Sequence, residues 1–150
     1  MANKFIVING PNLNMLGTRE TSIYGSLTLD EIAKYTEKRL VELGQKVELE
    51  WFQSNSESAL IQKIQSLVNS DIKALIINPA AYSHTSVAIL DALKMLPMPI
   101  VEVHLSNTHH RESFRQVKLT AKASTIIMEG LGKNAYLMAI LAQLYKEESL

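Results

Sequence analysis

The sequence predicts an α/β fold, a doubly wound parallel sheet of five strands with helices on both faces, and two observations predict it. Apolar, β-branched runs alternate with amphipathic segments along the chain. The runs are too continuously apolar to face water, as are strands covered by helices on both sides. Strand–helix alternation of this kind requires right-handed crossovers, which place every strand-to-helix turn at one edge of the sheet.

Each element has a local reason. Lys4 to Asn9 is a short, dense apolar strand. Leu29, Ile32, Ala33, Leu40 and Leu43 recur at helical spacing; Thr28 and Glu31 form a capping box ahead of them, and Gly44 ends the helix. Lys46 to Phe52 alternates apolar and polar and reads as the second strand. Ser54 and Glu57 read as another capping box, followed by Leu60, Ile61, Ile64, Leu67 and Val68 on one helix face. Ala74 to Asn78 is the third strand, and a helix from about His84 to Leu96 stops at Pro97. Pro99 to Val103 is the fourth strand, Asn107 to Gln116 a short polar helical segment, Ser124 to Glu129 the fifth strand and Asn134 to Glu147 the closing helix. No repeat or linker interrupts this series, so residues 1–150 read as a single domain. Five strands in 150 residues suit the flavodoxin-like sheet and are too few for an eight-stranded barrel.

Composition narrows the function. Lys and Arg total 15, as do Asp and Glu, so the net charge is zero, which argues against a nucleic-acid binder and leaves room for self-association. The absence of Cys excludes a thiolate nucleophile, a disulfide scaffold and Cys-ligated metal sites. No apolar run reaches the roughly 18 residues of a membrane span, and the N-terminus lacks the pattern of a signal peptide. The expected location is the cytoplasm.

The chemically capable residues concentrate in the turns after the first, third and fourth strands, where ligands bind in doubly wound sheets. Asn9 to Asn12 is a tight turn and neither a P-loop nor a dinucleotide fingerprint. Asn9 fits turn chemistry alone, whereas Asn12 and Asn14 are placed to offer amides to a ligand or a water. The stretch from Gly17 to Gly25 is too long for a minimal turn and reads as a lid. Within it, Arg19 beside Tyr24 would stabilise a phenolate and make the tyrosine a base; the bland alternative is a solvated Arg and a packed Tyr. His84 stands at the expected start of a helix, where the neutral imidazole and a bound anion are favoured. Asp91, seven positions on and close to the same face, is a carboxylate among apolar neighbours that wants a partner, including one from another subunit.

Glu102 and His104 share a strand face. A carboxylate there favours the imidazolium and fixes its orientation, which suits a general acid. Leu105, Ser106 and Asn107 offer backbone N–H groups, and Arg111 and Arg115 lie four apart, so they share a face if the segment is helical. A guanidinium holds a substrate carboxylate bidentately. His109 and His110 read as solvated, and the separation of the histidines argues against a metal site. The residues alone therefore imply a small anion-binding enzyme that abstracts a proton beside a carbonyl.

Taken together, Ile8-Asn-Gly-Pro-Asn-Leu-Asn-Met-Leu-Gly17, Arg19-Glu20 with Tyr24-Gly25, Gln53-Ser54-Asn55, His84-Thr85-Ser86, and Glu102-Val-His-Leu-Ser-Asn107 with Arg111-Glu112 and Phe114-Arg115 closely resemble the type II 3-dehydroquinases. The resemblance covers nearly the whole chain. It implies anti elimination of water from the small-molecule substrate 3-dehydroquinate to 3-dehydroshikimate, in the shikimate pathway, without cofactor or metal. It implies that Tyr24 is the base and Arg19 lowers its pKa. Asn12 would hold a water against the enolate, His104 would protonate the departing hydroxyl, and Glu102 would orient His104. It implies that Asn78, His84, Leu105, Ser106 and Arg115 position the substrate, and that Asp91 reaches a neighbouring subunit's site in a dodecamer of four trimers. This chain departs from the family's usual Pro at Thr21 and usual Gly at Ala80. It also departs near Ser56 and Ser58, from Lys118 to Ile126, and at Ala135; these departures bear on lid, turn and packing rather than on the chemical groups. The competing readings are a flavodoxin-like flavin- or nucleotide-binding module, which leaves Tyr24, Arg19 and His104 without a purpose, and a phosphoacceptor domain, which needs acidic residues where Asn9 and Asn12 stand. A Schiff-base route needs a buried Lys in the active turns, and Lys73 and Lys94 lie outside them.

Overall fold

A computed structural model describes residues 3–18 and 20–148; Arg19 and the side chain of Tyr24 lie outside the described residues. In chain order the elements are β1 (Asn3–Asn9), α1 (Thr21–Tyr24), α2 (Leu29–Glu42), β2 (Val47–Gln53), α3 (Glu57–Gln65), β3 (Ala74–Asn78), α4 (Tyr82–Thr85), α5 (Val87–Leu93), β4 (Ile100–His104), β5 (Ile126–Glu129) and α6 (Ala135–Glu148), with short 3-10 turns between them. The five strands pair in parallel in the order β2-β1-β3-β4-β5. This is the flavodoxin-like order, and the direction of winding reverses between β1 and β3.

Alternation along the strands builds two cores. Phe5 and Val7 of β1, Ala74 and Ile76 of β3 and Val101 and Val103 of β4 pack with Ile32 and Leu40 of α2 and Tyr136, Ala139 and Ile140 of α6. Ile6, Ile8, Leu75 and Ile77 face the other way, onto Leu60 and Ile64 of α3 and Ile89 and Leu93 of α5. The same alternation sends Asn9 and Asn78 toward α6, whereas Glu102 and His104 stand on the face opposite Val101 and Val103. No helix among the described residues is long and apolar enough to cross a membrane.

The structure differs from the sequence expectation at several boundaries. The cap of α3 is Ser56, whose Oγ accepts from the Ala59 N–H at 3.2 Å; Ser54 instead accepts from the Ser56 N–H. Glu57 is thereby the first helical residue, and its carboxylate receives the hydroxyl of Ser86. Because α3 ends at Gln65, Leu67 and Val68 lie in the following turn. The expected helix from His84 to Leu96 is broken at Ser86, whose backbone is extended (φ −100°, ψ 96°) so that its side chain caps α5 by accepting from Ile89 N–H. The polar segment after β4 is two 3-10 turns, Thr108–His110 and Ser113–Gln116, interrupted by extended Arg111. The fifth strand begins at Ile126 rather than Ser124.

Ala80 adopts φ +53°, a left-handed conformation in which a Cβ crowds the backbone. Its N–H donates to Asn78 Oδ1 at 3.1 Å, so the strained turn also holds a side chain at the sheet edge. Replacing Ala80 with Gly is expected to raise stability by about 1 kcal/mol and the thermal midpoint by roughly 2–4 °C. Paired thermal melts would show this; an unchanged or lower midpoint would mean that the turn carries no net strain.

Candidate active site

The carboxyl ends of β1, β3 and β4 surround a cleft of ≈ 110 Å³. Its floor and walls include Asn12, Asn78, Ala80, His84, His104, Leu105, Ser106, Thr108, Arg111 and Arg115. Nearly every described residue expected to bind or react therefore meets there. The tight turn after β1 comes close because the Gly10 N–H donates to the Asn78 carbonyl at 2.8 Å. A Cβ on Gly10 would collide with the Pro79 carbonyl, so this approach requires glycine. Asn12 takes φ +69°, and its N–H donates to Asn55 Oδ1 at 2.9 Å. Asn55 thus sets the pose of Asn12 from 43 positions away, a role no local pattern signals.

At the other wall, His104 Nε2 lies 2.8 Å from Glu102 Oε2, as their shared strand face requires. Glu102 is fully buried. Its carboxylate also accepts from Ser83 Oγ at 2.7 Å and from Thr120 Oγ1 at 2.6 Å. Burial alone would raise its pKa, but the bonds from His104, Thr120 and Ser83 outweigh it and hold the carboxyl below its ordinary value. The His84 ring stacks on His104 with centroids 6.1 Å apart, and His84 Nδ1 donates to the Val117 carbonyl at 2.7 Å. Burial pushes the His84 imidazole below its ordinary value, against the pull of the Val117 carbonyl, so it is neutral at neutral pH. The cause differs from the expected one: His84 lies in the last turn of the four-residue α4, not at a helix N-terminus. The break at Ser86 also removes the shared face of His84 and Asp91. Asp91 is exposed on α5 and does not line the cleft.

Two guanidiniums complete the cleft. Arg111 and Arg115 do not share a helix face, since extended backbone separates their 3-10 turns, yet both line it. Arg115 Nε is held by Glu112 Oε2 at 2.9 Å. Asn78 is buried, with its Oδ1 on the Ala80 N–H and its Nδ2 on the Tyr136 hydroxyl at 3.1 Å. The expected base and its companion are less defined: Tyr24 ends α1 but its side chain, like Arg19, lies outside the described residues. Neutral His84, paired His104 and two arginines make a cleft suited to an oxyanion-bearing substrate and to proton transfer.

Behind the cleft, Glu129 at the end of β5 accepts from the Thr108 N–H and hydroxyl and lies 3.2 Å from Lys118 Nζ. Burial opposes its ionisation, but these partners prevail and hold its carboxyl at about 2. A depressed carboxyl adds stability above its ordinary value of 4.5 and loses it as pH falls toward 2. Glu129→Gln is therefore expected to be less stable than wild type at neutral pH, with a gap that narrows as the pH drops through this window. Urea unfolding at several pH values would show a constant gap if the pairing were not the cause.

The sequence profile described as "Dehydroquinase class II" matches residues 3–144. The 3-dehydroquinate dehydratase of Prochlorococcus marinus is 52% identical over 137 residues, covering 91% of this chain and 90% of that protein. The 3-dehydroquinate dehydratase of Aliarcobacter butzleri is 48% identical over 139 residues, 93% of this chain and 83% of that one. A crystal structure of type II dehydroquinase from Butyrivibrio crossotus superposes with a TM-score of 0.88 at 39% identity, covering 94% of this chain and 97% of the other. Matching along nearly its whole length in sequence and in fold, this chain belongs to the class II dehydroquinase family.

Proposed function

We propose that the chain is a 3-dehydroquinate dehydratase of the shikimate pathway that removes water from 3-dehydroquinate by anti elimination. The observation that carries this reading is the buried Glu102–His104 pair at a cleft walled by Arg111 and Arg115. Tyr24, as phenolate beside Arg19, takes the C2 proton next to the C3 ketone. The resulting enolate is stabilised through a water held by Asn12. Collapse of the enolate expels the C1 hydroxyl, which His104 protonates to water. His104 Nε2 is committed to Glu102, so Nδ1 is the nitrogen that delivers the proton. Arg115, Ser106 and the backbone at Leu105 hold the substrate's carboxylate and hydroxyls with Asn78 and His84. Elimination of this kind needs no cofactor.

In this reading the protein is a single cytoplasmic domain that assembles as a dodecamer of four trimers. Asp91, exposed on α5, then reaches the cleft of a neighbouring subunit. The test is a spectrophotometric assay with 3-dehydroquinate, following the absorbance of the conjugated enone carboxylate formed. Turnover by wild type and its collapse in folded Tyr24→Phe are expected. A well-folded wild-type protein without turnover overturns the reading.

A further inference from the structure

The chemistry places a proton on His104, and the two side chains that touch its ring, Glu102 and His84, are themselves held by a segment outside the cleft. Four consecutive residues, Val117 to Thr120, touch both histidine supports. The Val117 carbonyl accepts from His84 Nδ1, the Leu119 N–H donates to the Ser83 carbonyl at 2.7 Å, and Thr120 Oγ1 donates to Glu102 Oε1. Lys118, between them, is fastened by its ion pair with Glu129. Thr120 is fully buried, as is Ser83, and their hydroxyl oxygens are 3.1 Å apart.

Counting protons gives this arrangement its meaning. Each hydroxyl has one hydrogen. Ser83 directs its hydrogen to Glu102 Oε2 and Thr120 to Oε1, while His104 Nε2 brings a third to Oε2. Three donors on one carboxyl group favour the carboxylate; protonating Glu102 would cost it the Thr120 donor, whose hydroxyl would have to turn toward Ser83 Oγ. We propose that Thr120, with Ser83, is a positioning residue of the elimination: through Glu102 it keeps the shared proton on His104 and the ring aimed into the cleft.

Loss of the Thr120 hydroxyl would make Glu102 a better proton acceptor. The Glu102 carboxyl, which this bond helps to hold below its ordinary value, would then keep a proton to higher pH and draw it from the His104 Nε2–H. The other charged or titratable groups near the pair are His84 from α4, Arg111 and Arg115 from the segment after β4, and Lys118 from the 117–120 segment, none of which the substitution removes.

The test compares Thr120→Val with Thr120→Ser in the full chain. Thr120→Val is expected to lower kcat by about tenfold, with KM nearly unchanged, and to move the alkaline limb of the kcat profile upward, while Thr120→Ser restores both. Merely looser packing would not produce an upward limb that serine reverses. The kinetics rest on the dehydratase reading, so a second readout needs no substrate: the Nε2–H proton resonance of His104, assigned by its loss in His104→Gln, should shift in Thr120→Val and return in Thr120→Ser. If wild type shows no turnover, that reading fails and the resonance alone decides this one. If Thr120→Val does not fold, Ser83→Ala removes the second hydroxyl and is read the same way. Wild-type kcat, pH limb and His104 resonance in the hydroxyl-free variant overturn the proposal.

Discussion

Replacing His104 with alanine is expected to lower kcat by about two to four orders of magnitude, the range for loss of a general acid. His104 is only 6% exposed, and its ring joins the buried carboxylate of Glu102 to the cleft. Neighbouring His84 cannot replace it, because burial keeps that ring neutral and its Nδ1 is committed to the Val117 carbonyl. The variant also strips one donor from Glu102, so its fold must be checked by circular dichroism before the rate is interpreted. A His104→Ala protein that folds and keeps the wild-type rate would remove His104 from the reaction.

The second large effect is structural. Tyr136 is fully buried on α6, and its ring meets Trp51 edge to face with centroids 5.5 Å apart. Its hydroxyl donates to Asn9 Oδ1 and accepts from Asn78 Nδ2. Burial pushes the phenol above its ordinary value, so at any working pH it remains a neutral donor. Tyr136→Ala is expected to cost about 3–5 kcal/mol through the cavity it leaves. Tyr136→Phe keeps the ring and strands two buried asparagines, at a cost of about 1–3 kcal/mol. Urea unfolding of both variants separates packing from hydrogen bonding. The phenylalanine variant should in addition weaken substrate binding, since Asn78 loses a tether at the cleft. A Phe variant as stable as wild type would show that the hydroxyl contributes no net stability.

These two residues also mark where the sequence was legible. Glu102 and His104 could be paired from spacing, because a strand's two-residue period fixes which side chains share a face. The five strands could be placed because their apolar runs are dense and bounded by turn residues, and the order β2-β1-β3-β4-β5 agrees with the doubly wound expectation. Helix breaks were less visible. Val87, Ile89, Leu90 and Leu93 continue a helical apolar pattern through Ser86, yet Ser86 caps a new helix while its hydroxyl reaches Glu57. The same competition moved the α3 cap from Ser54 to Ser56. Asn9 looked like turn chemistry and is instead the partner of Tyr136. Thr120 and Ser83 carried no signal, and Asn55 entered only through the family resemblance without a role, since a hydroxyl or amide becomes informative only when the fold supplies its partner. Comparison with relatives makes the family plain, whereas Arg19 and the side chain of Tyr24 lie outside the described residues and rest on the sequence reading and the resemblance.

The bond between Tyr136 and Asn9 spans 127 positions, and that from Tyr136 to Asn78 spans 58. β1 is flanked by β2 and β3, so it waits for two strands synthesised after it before its edges are covered. Parallel pairing of this kind is slow to nucleate, because long crossovers must close before any contact rewards them. The tether on Asn78 waits longer still, until α6 has been synthesised and docked. A nascent chain that already has every residue lining the cleft therefore lacks the brace that holds one of its walls. Binding competence should arrive abruptly, with α6, rather than grow with chain length.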